Sequence, residues 1–265
     1  MLNITSASNP TIKMIRSLYR RKQRWTKKLF LIEGIKIVEE CIDINHPIEN
    51  IVYSDDLFSA QGGEALFNRI KHDRRLINIP SKLYREISDT ETPQGILAVV
   101  KFEINSIANA SIGDNPFILL LDKVKDPGNM GTIIRTADAF GIDGIIVTDG
   151  CVDVYNPKVV RATMGSIFRV PIYNETNGAE IIKKLKDKGM TIYSTSLEES
   201  RYIQNVDFNK SCVLIIGNES RGVSSDIIAL ADRLIKIPML GGAESLNAAI
   251  ASSIIMYEAI RQRIQ

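Results

Sequence analysis

Residues 117–141 read FILLLDKVKDPGNMGTIIRTADAFG, and the change of character along this stretch decides the fold. Phe117–Leu121 is a continuous apolar run without polar alternation, the pattern of a strand covered on both faces in a parallel sheet. A loop of Asp, Lys, Pro and Gly follows, and over 131–140 the apolar spacing becomes helical. The same sequence of strand, loop and helix recurs downstream. Strands are expected at 144–147, 191–193, 213–216 and 234–237, and helices at 157–165, 180–188 (closed by Gly189) and 247–263. Such alternation predicts an α/β fold with a parallel sheet.

Upstream the pattern differs. Short strands are expected at 29–32, 48–54, 77–79 and 96–100, with a helix over 33–42 and a polar, turn-rich loop at 88–95. This makes a small α/β domain over 1–101. Residues 102–116 hold Asn105, Ser106, Asn109, Ser111, Gly113, Asp114, Asn115 and Pro116 and read as a linker, which leaves 117–265 as the second domain.

The chain has 265 residues, 45% hydrophobic and 24% charged, an ordinary globular balance. Apolar runs such as 117–121 fall far short of the roughly 20 residues that a membrane span requires. No secretory signal is visible at the start, so a cytoplasmic location without membrane attachment is expected. Cys41, Cys151 and Cys212 are odd in number and widely spaced, and read as small buried apolar residues. His46 and His72, the two histidines, sit in polar loops, so a histidine-based triad or metal centre has little to work with.

Net charge is only +2, yet residues 13–28, KMIRSLYRRKQRWTKK, carry eight basic residues and no acidic one. Lys13, Arg16, Arg20, Arg24 and Lys27 recur every three or four positions, which predicts one helix with a cationic stripe opposite Ile12, Ile15, Leu18 and Tyr19. A start at Ser8 or Asn9-Pro10 fits. Contact with RNA through Lys13, Arg16, Arg20 and Arg24 is the favoured reading over a merely solvated face or a membrane-surface helix.

Three blocks carry chemistry. In the first, 121–141, a helix start near Gly131 offers backbone N–H groups to an anion or ligand oxygen, and Arg135 lies one turn further on. The second, 213–223, VLIIGNESRGV, runs an apolar strand into Gly-Asn-Glu-x-x-Gly, where glycine lets backbone approach a ligand at a strand's carboxyl end. Here Glu219 can equally be a helix cap. The third, 237–254, IPMLGGAESLNAAIASSI, passes through a Gly-Gly loop into a helix of small residues. Each alone has a bland explanation in turn geometry or close packing.

In this order and spacing the blocks resemble the three motifs of the SpoU (TrmH) branch of the SPOUT RNA methyltransferases. The matching residues are Asn129 and Arg135 in the first, Gly217, Glu219 and Gly222 in the second, and Ile237, Pro238, Gly242, Ser245, Leu246 and Asn247 in the third. Residues 156–172 also resemble the family, and Ala248 stands where relatives often carry Val. The N-terminal part is similar, more loosely, to an L30e-like RNA substrate-binding domain, through Glu33-Gly34 and Thr92-Pro93-Gln94-Gly95.

The resemblance implies a deep trefoil knot at the C-terminus, a homodimer, and S-adenosylmethionine held by Thr195, Gly217, Ile237, Met239 and Leu246, with S-adenosylhomocysteine as product and no metal. It implies transfer of methyl to a ribose 2′-hydroxyl of RNA. Arg135 would position the target phosphate and stabilise the developing alkoxide, because a guanidinium keeps its proton. The proton would leave through water or phosphate. Asn129 would orient substrate or Arg135. Glu219, Ser245 and Asn247 would hold the motif loops and the ribose, and Arg161 would contact RNA phosphate. The size of the N-terminal domain favours 23S rRNA over tRNA. Methylation of a base nitrogen and a non-catalytic RNA-binding or ribosome-assembly role are the competing readings. The intact Asn129, Arg135, Glu219, Ser245 and Asn247 weigh against the latter.

Overall fold

The computed structural model describes residues 2–110, 112–196 and 200–264. Ser111 of the expected linker lies outside them. In chain order the first elements are β1 (Leu2–Asn3), α1 (Pro10–Ser17), α2 (Arg21–Lys27), β2 (Leu29–Glu33), α3 (Ile35–Asp43), β3 (Ile48–Tyr53), α4 (Gly63–Ile70), β4 (Leu76–Asn78), α5 (Ser81–Ile87) and β5 (Ile96–Lys101). There follow β6 (Phe117–Leu121), α6 (Pro127–Ala139), β7 (Gly144–Thr148), α7 (Pro157–Thr163), β8 (Ile172–Glu175), α8 (Gly178–Asp187), β9 (Thr191–Thr195), β10 (Arg201–Tyr202), β11 (Cys212–Ile216), α9 (Ser225–Ile228), β12 (Arg233–Lys236) and α10 (Ala248–Arg263).

The chain forms two compact units. One comprises the residues up to Glu103 together with Tyr155–Phe168; the other comprises Ile104–Val154 and the residues from Arg169 onward. The first holds a five-stranded mixed sheet in the order β1-β4-β3-β5-β2, in which β5 runs antiparallel to both neighbours. Ile12, Ile15 and Leu18 of the N-terminal segment pack on Leu31, Val52, Ile77 and Leu97 from its strands.

The single cationic helix expected over 13–28 is corrected by the structure. Asn9 caps α1, but the chain breaks at Leu18–Arg20 and restarts as α2. Arg24 turns inward, only 2% exposed, and its Nη1 donates to the carbonyl oxygen of Leu18 at the break. A buried guanidinium satisfying a backbone carbonyl cannot also face solvent, so Arg24 is removed from the stripe. Arg16 is drawn to Glu86 at 2.6 Å, while Lys13 and Arg20 stay exposed.

Two more helices in this unit, α4 and α5, were not expected from the sequence, and α7 also packs here, against β2. The Tyr155 ring stacks on Phe102 at 3.8 Å, with Trp25 edge-on to both. Both features behind the looser N-terminal resemblance come together. The Glu33 carboxylate accepts from Ser88, Thr90 and Tyr84, and Gln94 Oε1 accepts from the Ile35 N–H beside Gly34.

The second unit is a seven-stranded sheet, β10-β12-β9-β11-β6-β7-β8, parallel at every pairing, as the apolar strands require. On one face Ile118, Leu120, Val213 and Ile215 meet Ile181, Ile182 and Leu185 of α8 and Ile227 of α9. On the other face α6 and α10 lie together, with a Thr136–Ser253 hydroxyl contact at 3.2 Å. The 102–116 segment is better anchored than its composition suggests. Ile107 is buried in this core, and Glu175 accepts from the Ile107 N–H and the Ser106 hydroxyl. All three cysteines are free and buried, and burial pushes the Cys41 thiol up to about 12.

Candidate active site

β6 and β11 are in register from Phe117 against Cys212 to Leu121 against Ile216, and the Asp122 N–H continues the ladder to the Ile216 carbonyl. The loops after these two strands therefore start side by side. β9 flanks β11, and β12 flanks β9, so Thr195, Gly217 and Ile237 stand at the carboxyl ends of three adjacent strands. Open parallel sheets bind ligands at this edge.

The first loop enters α6 four residues earlier than the spacing suggests. Asp126 is the cap, its carboxylate accepting from Asn129 N at 2.8 Å, and Pro127 opens the helix. This shift puts Asn129 inside the first turn, buried. Its side-chain amide is used at both ends. Nδ2 donates to Glu219 Oε1 at 3.0 Å, and Oδ1 accepts from Asn247 Nδ2 at 2.8 Å. One side chain thus ties together all three blocks.

Glu219 is not the cap of its own helix; it reaches across to the first loop. Its carboxylate accepts the backbone N–H of Lys125 at 3.2 Å and of Asp126 at 3.0 Å besides the Asn129 amide. Partial burial acts to raise the Glu219 pKa, but the hydrogen bonds from Asn129, Asp126 and Lys125 outweigh it and hold the carboxyl below its usual value. Asn247 caps α10, accepting from Ala249 N at 2.9 Å and Ile250 N at 3.2 Å, while its amide nitrogen serves Asn129. Gly217 is obligatory: a Cβ there would lie 2.2 Å from the backbone of Gly222 and Val223, which fold back through paired Asn218–Gly222 hydrogen bonds.

Arg135 lies six residues beyond Asn129 on α6 and is exposed, turned to the side shared with Gly128, Thr132 and Ala139. Its guanidinium makes no hydrogen bond or ion pair among the described residues. It does not touch Asn129, whose amide is committed to Glu219 and Asn247. Ser245 is likewise exposed, in the loop 237–247, where Leu240 is fully exposed and Leu246 37% exposed. Thr195 Oγ1 donates to the Ile215 carbonyl. Met239 is half-buried in the same loop. Arg161 belongs to the first unit, on α7, and is paired with Asp89 at 3.1 Å. Among the described residues no group of three or more His, Cys, Asp or Glu side chains is placed to hold a metal ion.

Apolar side chains exposed on a glycine-rich loop, beside backbone groups at three strand ends, fit a ligand with a flat apolar ring and polar edges. Residues 116–257 match the SpoU rRNA Methylase family. The chain belongs to this family. Residues 9–98 match the MRM3-like substrate binding domain. Among SpoU relatives, the 23S rRNA (guanosine(2553)-2′-O)-methyltransferase RlmP of Bacillus subtilis is 34% identical, covering 97% of this chain and 98% of its own length. An AdoMet-bound rRNA methyltransferase from Sinorhizobium meliloti superposes with a TM-score of 0.86 at 32% identity, covering 98% of this chain and 97% of that one. The TrmH/SpoU tRNA modifying enzyme of A. aeolicus is 35% identical with a TM-score of 0.51, but covers only 57% of this chain and 76% of its own.

Of the residues that the sequence singles out, Asn129, Glu219 and Asn247 are directly joined. The signals that sequence reading missed are Asp126 and Asn218. Asp126-Pro127 is an N-cap followed by N1 proline, legible as a helix start. Asn218 Oδ1 accepts from the N–H groups of Ser220 and Arg221, and its Nδ2 donates to the Lys123 carbonyl at 2.9 Å.

Proposed function

We propose that this chain transfers the methyl group of S-adenosylmethionine to a ribose 2′-hydroxyl of 23S rRNA. The observation that carries the reading is the Glu219–Asn129–Asn247 chain of hydrogen bonds, which fixes three loops at one sheet edge and leaves Arg135 unpartnered on the helix that anchors them. Thr195, Gly217, Ile237, Met239 and Leu246 hold the cofactor, with backbone groups at the strand ends reading the adenine and the exposed leucines covering it.

Adenosylmethionine supplies an electrophilic methyl on a sulfonium and leaves as neutral adenosylhomocysteine. The chain's own task is to bring the ribose oxygen into line and to favour loss of its proton. Arg135 binds the target phosphate and stabilises the developing alkoxide, since its guanidinium stays charged. The proton leaves to water or phosphate. Ser245 contacts the ribose side. Glu219 and Asn247 act through Asn129 to keep the loops in register.

Ribosomal RNA is favoured over tRNA because the full-length likeness is to rRNA enzymes, whereas the tRNA enzyme matches little more than half the chain. In this reading residues 1–101 form an L30e-like domain that selects the RNA, 102–116 connect, and 117–265 carry the chemistry, with a trefoil knot formed by the C-terminal segment. Lys13, Arg16, Arg20 and Arg161 contact phosphate. The enzyme works in the cytoplasm, where its RNA is, as a homodimer. The dimer is supported by α10, whose Ile250 and Tyr257 are 50% and 58% exposed although Ala249, Ile255, Met256 and Ala259 already fill its inner face.

Calorimetric titration with adenosylmethionine, followed by labelled methyl transfer to 23S rRNA and to tRNA, tests the proposal. Cofactor binding with label in 23S rRNA is expected. A protein that binds RNA but no cofactor would be a non-catalytic relative.

A further inference from the structure

Ser224 follows the second motif and stands at the N-cap of α9, yet its hydroxyl makes no capping bond to that helix. A serine at this position ordinarily accepts from the helix's own N–H groups. Here the hydroxyl turns the other way. Ser224 Oγ donates to Asp122 Oδ2 at 2.5 Å, and the Ser224 N–H reaches the same oxygen at 2.7 Å. Lys123 Nζ donates to Ser224 Oγ at 2.8 Å. Asp122 is only 3% exposed, so these are the bonds that satisfy its carboxylate.

Lys123 adds a further sign of constraint. Its φ is +57°, a left-handed conformation that a side-chain-bearing residue adopts at a cost. The Asn218 amide grips its carbonyl oxygen, and Gly150 leaves room beside it: a Cβ there would stand 3.1 Å from Lys123 Cγ. Strain of this kind persists where surrounding bonds over-determine it.

We infer that Ser224 is a positioning residue for methyl transfer, acting with Asp122 and Lys123. This rests on the function proposed above. The turn 217–223 is fastened to the loop 122–129 at three points. Asn218 and Glu219 hold its start, on Lys123 and on Lys125, Asp126 and Asn129, and Ser224 holds its far end on Asp122 and Lys123. Without Ser224 the turn is held only at its start, and its far end can pivot. Gly217, at the start of the turn, is where the cofactor's adenine would be read. Ser224 therefore sets the cofactor site without touching it.

The test compares Ser224→Ala with Ser224→Thr in the full chain. Three quantities are read: adenosylmethionine affinity by calorimetry, kcat and KM for RNA, and amide hydrogen exchange at Gly222 and Asp126. For Ala we expect cofactor affinity and kcat to fall about tenfold, KM for RNA to hold, exchange at both amides to quicken, and the thermal midpoint to fall, since the buried Asp122 carboxylate loses a partner. Thr, which keeps the hydroxyl, restores all of these. Ala with wild-type exchange and affinity overturns the inference. So does equal loss in Ala and Thr, which would indicate packing alone. A wild-type protein that binds no cofactor refutes the proposed function instead, and the exchange measurement still decides whether Ser224 fixes the turn.

Discussion

The side-chain amide of Asn247 donates to that of Asn129 at 2.8 Å, joining the start of the last helix to the first turn of α6 across 118 positions of sequence. Each amide spends its oxygen and one N–H on holding the loops together. That work is alignment, while Arg135 and Ser245 stand exposed beside it.

Replacing Asn129 removes the junction of three loops. Asn129→Ala leaves Glu219 and Asn247 each short of a partner, at a cost of about 1–3 kcal/mol for a buried group left unpaired. Asn129→Asp sets a carboxylate against Glu219 and should cost more. Both should lower the thermal midpoint measurably and cut methyl transfer by about a hundredfold, read by calorimetric melting and labelled transfer.

Arg135 should behave in the opposite manner. It is exposed and unpartnered among the described residues, so Arg135→Ala should leave the melting temperature and cofactor affinity nearly unchanged while abolishing transfer. An Arg135→Ala protein with wild-type turnover would remove Arg135 from the mechanism.

Glu219 predicts an acid limit. Its folded pKa lies below the ordinary carboxylate value of 4.5, so its stabilising bonds are fully present above that pH and are lost as pH falls through the lower folded value. Cofactor affinity should therefore hold down to about pH 4.5 and fall below it. Glu219→Gln should bind more weakly throughout and lose this acid step.

Arg24 separates structure from RNA contact in the N-terminal segment. Arg24→Ala strips the Leu18 carbonyl of its partner and should destabilise by about 1.5–3 kcal/mol, as for a hydrogen bond to a charged group. Lys13→Ala and Arg20→Ala should leave stability intact and each reduce the salt dependence of RNA binding by about one unit of slope.

Ile250→Glu and Tyr257→Glu place charge on the exposed face of α10. In sedimentation equilibrium they should convert the proposed dimer into monomers without unfolding it.

The parallel sheet was legible because continuous apolar strands such as Phe117–Leu121 have no other stable surroundings. The three loops were legible as blocks through Gly217, Glu219 and Asn247. The bonds between the blocks were not, since Asn129, Glu219 and Asn247 are distant in sequence and only the strand register brings them together. Helical periodicity misled over 13–28, where no Gly or Pro marks the break. The interruption is imposed by burial of Leu18 and the inward turn of Arg24. Helices α4 and α5 went unread because both are short and neither opens on a capping side chain, whereas α7, equally short, is announced by Asn156-Pro157.

The most direct test of the account is the chemical identity and position of the methylated nucleoside. 23S rRNA from cells lacking this protein, treated with the purified enzyme and labelled adenosylmethionine, should be digested to nucleosides and mapped. Label is expected in one 2′-O-methyl nucleoside at one position, and is absent when Arg135→Ala protein is used. Label on a base, or none in 23S rRNA, would contradict it.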